Sequence, residues 1–367
     1  MGTAFRPLLL AAALVALPCA LEAQDSTESD REPGHWSLDL PVRGHGISFG
    51  NSARFSGLRF NWSDAGLDRI TGVNITFWKP EKPISGSVNG LAVGLAGPAA
   101  ADLNGIMIGV GGVVAEHQLR GIAVGGLGVV SQGRMDGTSI AGLGAVAQGE
   151  MKGISVAGLG VVSQGGLGGF SASGLGVVSQ GPMWGVDLAG LGVVSQGSMT
   201  GLSVSGLGTV AQGNLNGISV SGLASVAQGD VAGLAVGGVA TVAQGHIAGI
   251  ALGGVAVVAQ GGITGLTVGG VAVVSQGLAR GFTVAGYRVR SPRVSGLTIA
   301  GINLKTEYMS GLSVSAFNQI RGLQAGIAIG LLNFARRLKG IQIGLLNIAR
   351  NNPPPFRVLP LINAHFD

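Results

Sequence analysis

The sequence predicts an all-β protein, a parallel β-solenoid (β-helix) of 16-residue coils capped at both ends. Three observations predict it. A Ser/Ala-Gln-Gly tripeptide recurs with one fixed step, glycine fills 69 of 367 positions, and only 11% of residues are charged. That composition departs from ordinary globular packing and directs attention to repeats first.

The tripeptide begins at Ser131, Ala147, Ser163, Ser179, Ser195, Ala211, Ala227, Ala243, Ala259 and Ser275, always 16 residues apart. A glycine opens each unit with the same step, from Gly105 and Gly121 to Gly265 and Gly281. The spacing loosens at Gly57, Gly72 and Gly90 before this block, and at Gly296, Gly311, Gly326 and Gly340 after it. The chain thus divides into a signal peptide (1–23), an irregular N-terminal cap (24–56), leading repeats (57–104), strict repeats (105–280), variant repeats (281–350) and a C-terminal cap (351–367).

The first segment reads as a secretory signal: Arg6 supplies the positive charge, residues 8–17 form a short apolar core, and Ala23 offers a cleavage site before Gln24. The core is too short to span a bilayer as a helix. Export to the outer membrane or cell surface is expected, with the periplasm as the alternative. Cys19 is the only cysteine, so cleavage after Ala23 leaves no thiol for disulfides, catalysis or metal binding.

In the representative unit 201–216, apolar residues recur at Leu202, Val204, Leu207, Val210 and Leu215. Steps of two keep a strand residue on one face, and each step of three flips the phase beside a glycine able to take the φ > 0 of a tight bend. The unit therefore reads as short strands joined by glycine corners. The large residues are expected inside, with Ser203, Ser205, Thr209 and Ala211 forming a flat small-residue outer face. Such a face suits self-association or contact with a membrane, or merely fits a pleated surface.

Helix fails because each interior glycine costs about 1 kcal/mol relative to alanine. An antiparallel outer-membrane barrel needs strands of about 9–11 residues, so two strands and their turns do not fit one unit. Parallel stacking explains the invariant step directly, since each coil must return about 4.8 Å above its predecessor for the ladder to pair. About nineteen such units would make a rod of roughly 90 Å. Glutamines then align at Gln132, Gln148, Gln164, Gln180, Gln196, Gln212, Gln228, Gln244, Gln260 and Gln276, expected inward or at a corner as a self-bonding amide ladder.

Variation concentrates after each Gln-Gly, which marks Arg134, Lys152, Trp184 and His246 as candidate contact residues. No catalytic, cofactor or metal constellation emerges: none of His35, His45, His117, His246 and His365 has metal-ligand spacing to a partner, and the serines lack a nearby base. No cofactor is expected. Asn61 and Asn74 begin glycosylation-type triplets that read as chance matches. Cations gather near the C-terminus, at Arg288, Arg290, Lys305, Arg321 and beyond, but without interleaved aromatics, so nucleic acid is not expected as a partner. Anionic lipid, polysaccharide or solvent suits them.

In the last units an Asn column appears at Asn303, Asn318, Asn333 and Asn347, in segments such as Gly-Ile-Gln-Ile-Gly-Leu-Leu-Asn beginning at Gly340. Residues 296–367 resemble the glycine-rich surface repeat-containing proteins of unknown function from Gram-negative bacteria, whose units read Gly-Leu-Gln-Ile-Gly-Leu-x-Asn. The central block departs from that pattern. The resemblance implies an envelope or surface location and carries over no active residue. The expected function is a non-enzymatic exported structural or interaction rod, with outer membrane, surface polysaccharide or a second copy as partner. An outer-membrane β-barrel and a carbohydrate-active β-helix enzyme are the alternatives.

Overall fold

A computed structural model describes residues 36–42 and 45–366. The expected signal peptide, with Cys19 and the cleavage site, lies outside them. Every regular element described is a strand, and the chain forms two compact units, Met1–Val194 and Ser195–Asp367. Each is a parallel β-solenoid.

A strict coil contains one long and one short strand, for example Leu215–Ser221 and Ala224–Ala227. The long strand pairs in parallel with Val231–Gly237, Gly217 opposite Gly233, and the short strand with Ala240–Ala243. In the first unit, Met151–Ala157 lies between Arg134–Ala141 and Leu167–Ser173 in the same one-coil register. A residue inserted within a strand would break its ladders to the coils before and after it, whereas extra residues between strands are looped out, as in the 18-residue step from Gly72 to Gly90.

The bends explain two of the glycine columns. Gly217 has φ 109°, and a Cβ there would lie 2.3 Å from the carbonyl oxygen of Gly201, one coil earlier. At the next corner a Cβ on Gly222 would lie 1.9 Å from the Gly206 oxygen. Backbone approaches backbone along the stack, so no side chain fits.

The facing of the side chains reverses the expectation from size. Ser203, Ser205, Thr209 and Ala211 are buried, whereas Leu202, Val204, Leu207 and Val210 face outward; of the large residues only Leu215 is inside. A 16-residue coil at roughly 3.3 Å per residue has a perimeter of only about 50 Å. Its interior is therefore narrow and takes Ala, Ser, Thr and Val at most levels, with Met183, Leu215 and Ile247 filling one further column. Strand alternation runs through the glycine: Leu215, Gly217, Ser219 and Ser221 share one parity.

The buried hydroxyls bond to one another and to corner carbonyls. Ser221 donates to Thr209 at 3.0 Å, Ser225 to Ser221 at 3.1 Å, and Ser139 to Ser155 at 3.0 Å. The serine of the marker tripeptide is such a group, since Ser163 reaches the carbonyls of Gly149 and Gly166, both at 2.9 Å.

Antiparallel pairings occur at the start of the first unit and at the end of the second. Ser37–Val42 pairs with His45–Gly50, which runs parallel to Arg54–Asn61, so the described part of the segment expected to be irregular includes a hairpin. Val358–His365 pairs antiparallel with Leu332–Ala349. Beneath the hairpin the interior is polar. Arg59 is fully buried; its guanidinium donates to Asp64, to Asn74 at 2.7 Å and to Asn51 at 2.8 Å. Asp64 also accepts from Asn61 at 3.2 Å and from Thr76 at 2.7 Å. Asn61 and Asn74 are thus buried network members, sterically closed to glycosylation.

Candidate interaction face

Because the short side chains fill the inside, the outside carries the long ones. In each strict coil of the second unit the outward positions of the long strand after its glycine, the Gly-Leu corner and the short strand form an apolar belt; the outward position before the glycine lies outside it and is polar in several coils, as at Thr200, Asn216 and Thr264. The belt's members are Ile218, Val220, Leu223, Ala224 and Val226 in one coil, and Ile250, Leu252, Val255, Ala256 and Val258 two coils on. From Leu202 through Val274 no belt position bears a polar side chain. The corner residues Leu207, Leu223, Val239, Val255 and Val271 are 44–50% exposed. The first unit repeats the arrangement, with Leu127, Leu143, Leu159, Leu175 and Leu191 at the corner and Thr138 the one hydroxyl among belt positions 122–194. A flat small-residue face was expected; the face is instead ridged with large aliphatics.

The scale is unusual for a surface facing water, since the largest apolar patch on a monomer is typically about 300–600 Å². Columns of four half-exposed aliphatics repeating at every coil exceed that within a few coils. The backbone beneath is satisfied: Leu223 N–H donates to Leu207 O at 2.8 Å and Gly222 N–H to Ser205 O at 3.1 Å, one coil back. The belt lacks only a cover for its side chains.

The Gln-Gly edge is polar. The Gln column sits at that corner and is exposed from Gln132 to Gln276, with no amide-to-amide bond among the described residues. Backbone bonds do the work instead, Gln212 N–H donating to Ser195 O at 2.9 Å. The side-chain ladder of this edge lies two residues further on. The N–H groups of Asn214, Asp230 and His246 donate in turn to Ser198 Oγ at 3.1 Å, Asn214 Oδ1 at 2.9 Å and Asp230 Oδ1 at 2.7 Å. Of the candidate contact residues, Arg134 and His246 are exposed, and Lys152 and Trp184 come together: the ammonium lies 5.9 Å from the ring centroid and 2.8 Å from Glu150. Trp184 lies over Gly168, where a Cβ would come within 2.2 Å of the indole.

The Asn column forms a true ladder in part. Asn318 donates to Asn333 at 2.8 Å and Asn333 to Asn347 at 2.7 Å, all buried. Asn303 stands apart because a register shift after Ala300 pairs it with Phe317 and sets Leu304 opposite Asn318. A second interior amide pair, Gln342 to Gln324 at 2.9 Å, went unnoticed in the sequence.

Two further features escaped the sequence reading. Trp62, Phe77 and Trp78 form an exposed cluster, Trp62 stacking on Trp78 at 6.3 Å and on Phe77 at 6.5 Å. Their spacing, Trp62 to Trp78 being one full period, was the available signal. Asp187 occupies the inner column otherwise filled by Ser139, Ser155 and Ser171; burial pushes its carboxyl up to about 6, partly opposed by a hydrogen bond with Ser171. Among the described residues no three His, Cys, Asp or Glu side chains gather as a metal site. No protein-family model matches the chain, and neither a curated protein nor a solved structure is detectably similar to it.

Proposed function

We propose that this is an exported, non-enzymatic structural and interaction solenoid of the bacterial outer membrane or cell surface, which docks through its apolar belt. The unbroken aliphatic surface from Leu202 to Val274 carries the reading, because a contiguous apolar patch of this extent marks an interaction site. The signal-like residues 1–23 and the Gly-Ile-Gln-Ile-Gly-Leu-Leu-Asn units support export and a surface location. Parallel ladders argue against the antiparallel barrel. A carbohydrate-active enzyme requires clustered carboxylates beside exposed aromatics; at the Trp62–Trp78 cluster Asp64 is buried against Arg59, which leaves Glu81 as the one exposed carboxylate within five residues of Trp62, Phe77 or Trp78.

The test places charge on the belt. Leu223→Lys with Val239→Lys puts two ammonium groups on half-exposed positions that touch no interior column. The expected result is release of the protein from the envelope fraction with its β-circular dichroism intact. Unchanged retention would sink the proposal.

A further inference from the structure

The belts of the two units end on different chemistry. In the first unit the corner of the coils before Leu127 carries Val110 and Leu95 and, in the coils before those, the exposed Phe77, Trp78 and Trp62; Leu127 N–H donates to Gly111 O at 2.9 Å, Gly111 N–H to Leu95 O at 3.0 Å, Leu95 N–H to Thr76 O at 3.1 Å, and Trp78 N–H to Trp62 O at 2.6 Å. Phe49 and Phe60 stack at 5.6 Å in the adjoining outward column. In the second unit the short-strand columns give way to Arg288 and Arg290, opposite Ala272 and Val274, and then to Lys305 opposite Arg290. The Lys305 ammonium is held below the usual lysine range by Arg321, then by partial desolvation, Arg290 and Arg288. None of these four cations makes an ion pair among the described residues.

Resting on the docking role proposed above, we infer that the belt's occupant is the acyl-chain layer of a membrane bearing anionic headgroups, into which each unit inserts its Gly-Leu edge. A protein partner of standard size forms about 10 ± 5 hydrogen bonds across its interface, and the belt offers no side-chain donor or acceptor over whole coils. Acyl chains need none. The solenoid also meets the condition for contact with hydrocarbon, because the belt's backbone groups are paired within the ladder. Tryptophans at the end of one belt match the amphipathic layer between chains and water. Unneutralised cations at the end of the other match anionic headgroups. A second copy docking belt to belt would answer the aliphatic columns but, the belt positions from Leu202 to Val274 being uncharged, would bring those cations no carboxylate from that face. The opposite edge, with Glu150, Lys152, Trp184, Asp230 and His246, remains in water.

Depth-dependent quenching tests this within the first unit, using the tryptophan on each edge. Two variants of the purified protein keep one indole each: Trp78 alone (Trp36→Phe, Trp62→Phe, Trp184→Phe) and Trp184 alone (Trp36→Phe, Trp62→Phe, Trp78→Phe). They are mixed with phosphatidylethanolamine–phosphatidylglycerol vesicles whose acyl chains are brominated or plain, and with purely zwitterionic vesicles. The expected result is co-flotation with anionic vesicles, bromine quenching of Trp78 but not of Trp184, and binding weakened at least about tenfold by Leu143→Lys with Leu175→Lys. Equal quenching of both indoles, or none, overturns the inference, and equal affinity for zwitterionic vesicles overturns its headgroup part. Sedimentation separates the two readings. If the lysine pair dissociates an oligomer while nothing floats, the belt is a docking face for a second copy and the lipid occupant is wrong; if it alters neither flotation nor assembly, the docking role fails as well.

Discussion

Replacing Asp187 by serine should stabilise its coil at neutral pH and leave it unchanged near pH 4. The carboxyl is 4% exposed and sits where neighbouring coils place Ser155 and Ser171. Its folded-state value is about 6 against 3.8 for the free group. Raised in the folded state, it binds its proton more tightly there than in the unfolded chain, so stability falls as pH climbs from about 4 to about 6 and then levels. Each unit of difference is 1.36 kcal/mol, so the penalty above pH 7 is on the order of 3 kcal/mol. Serine removes the charge and restores the column's hydroxyl. The assay is native-state hydrogen exchange of peptides covering Met183–Ala189, corrected for intrinsic rates, in variant and parent at pH 4.5 and 7.5. Protection in the variant should exceed that of the parent on the order of a hundredfold at pH 7.5, and the difference should shrink towards pH 4.5. A pH-independent difference, or a parent better protected at pH 7.5, would refute a buried, proton-hungry carboxyl.

Arg59→Ala leaves Asp64 buried without its counter-charge and should cost about 3–5 kcal/mol, read as early loss of exchange protection in Arg54–Asn61 and Arg69–Thr76. Gly217→Ala forces a Cβ towards the Gly201 oxygen at a φ of 109°, and should destabilise its coil by upward of about 2 kcal/mol in the same measurement. The two amide columns should respond oppositely to alanine in denaturant melts. Gln228→Ala, at an exposed corner, should stay within about 0.5 kcal/mol, whereas Asn333→Ala, which breaks the side-chain bonds to Asn318, Asn347 and Ile343 O, should cost roughly 1–3 kcal/mol.

The period, the parallel stacking and the glycine corners could be read without coordinates because each is a local demand repeated in every coil. Gly217 and Gly222 recur since a Cβ at either meets the backbone of the coil below, and a constant 16-residue step keeps both ladders of the strict block in one register. The Asn318, Asn333 and Asn347 ladder was legible for the same reason: an identical amide at the same height in each coil bonds to its copy. Asn303 shares the motif yet falls outside the ladder, because the shift after Ala300 depends on how two long strands pair and leaves no mark in the residue itself.

Which face points inward was not legible. Hydropathy sorts residues into inside and outside only when one side meets water with polar groups, and here both sides of each strand are largely apolar. Leu223 and Ser221 exchange their expected places because a coil of this perimeter encloses too little room for leucine, a limit set by the closed cross-section. The Gln column, expected inward or at a corner, lies at the exposed corner, where its amides do not bond to one another. Trp62 and Trp78 meet across neighbouring coils, Lys152 and Trp184 across two coils over Gly168, and Arg59 with Asn74 one coil on, where stacking brings together residues that composition scatters. Repetition along the chain thus dictated the scaffold, while the narrowness of the folded coil placed the aliphatic belt on the outside and so created the face through which the protein is proposed to act.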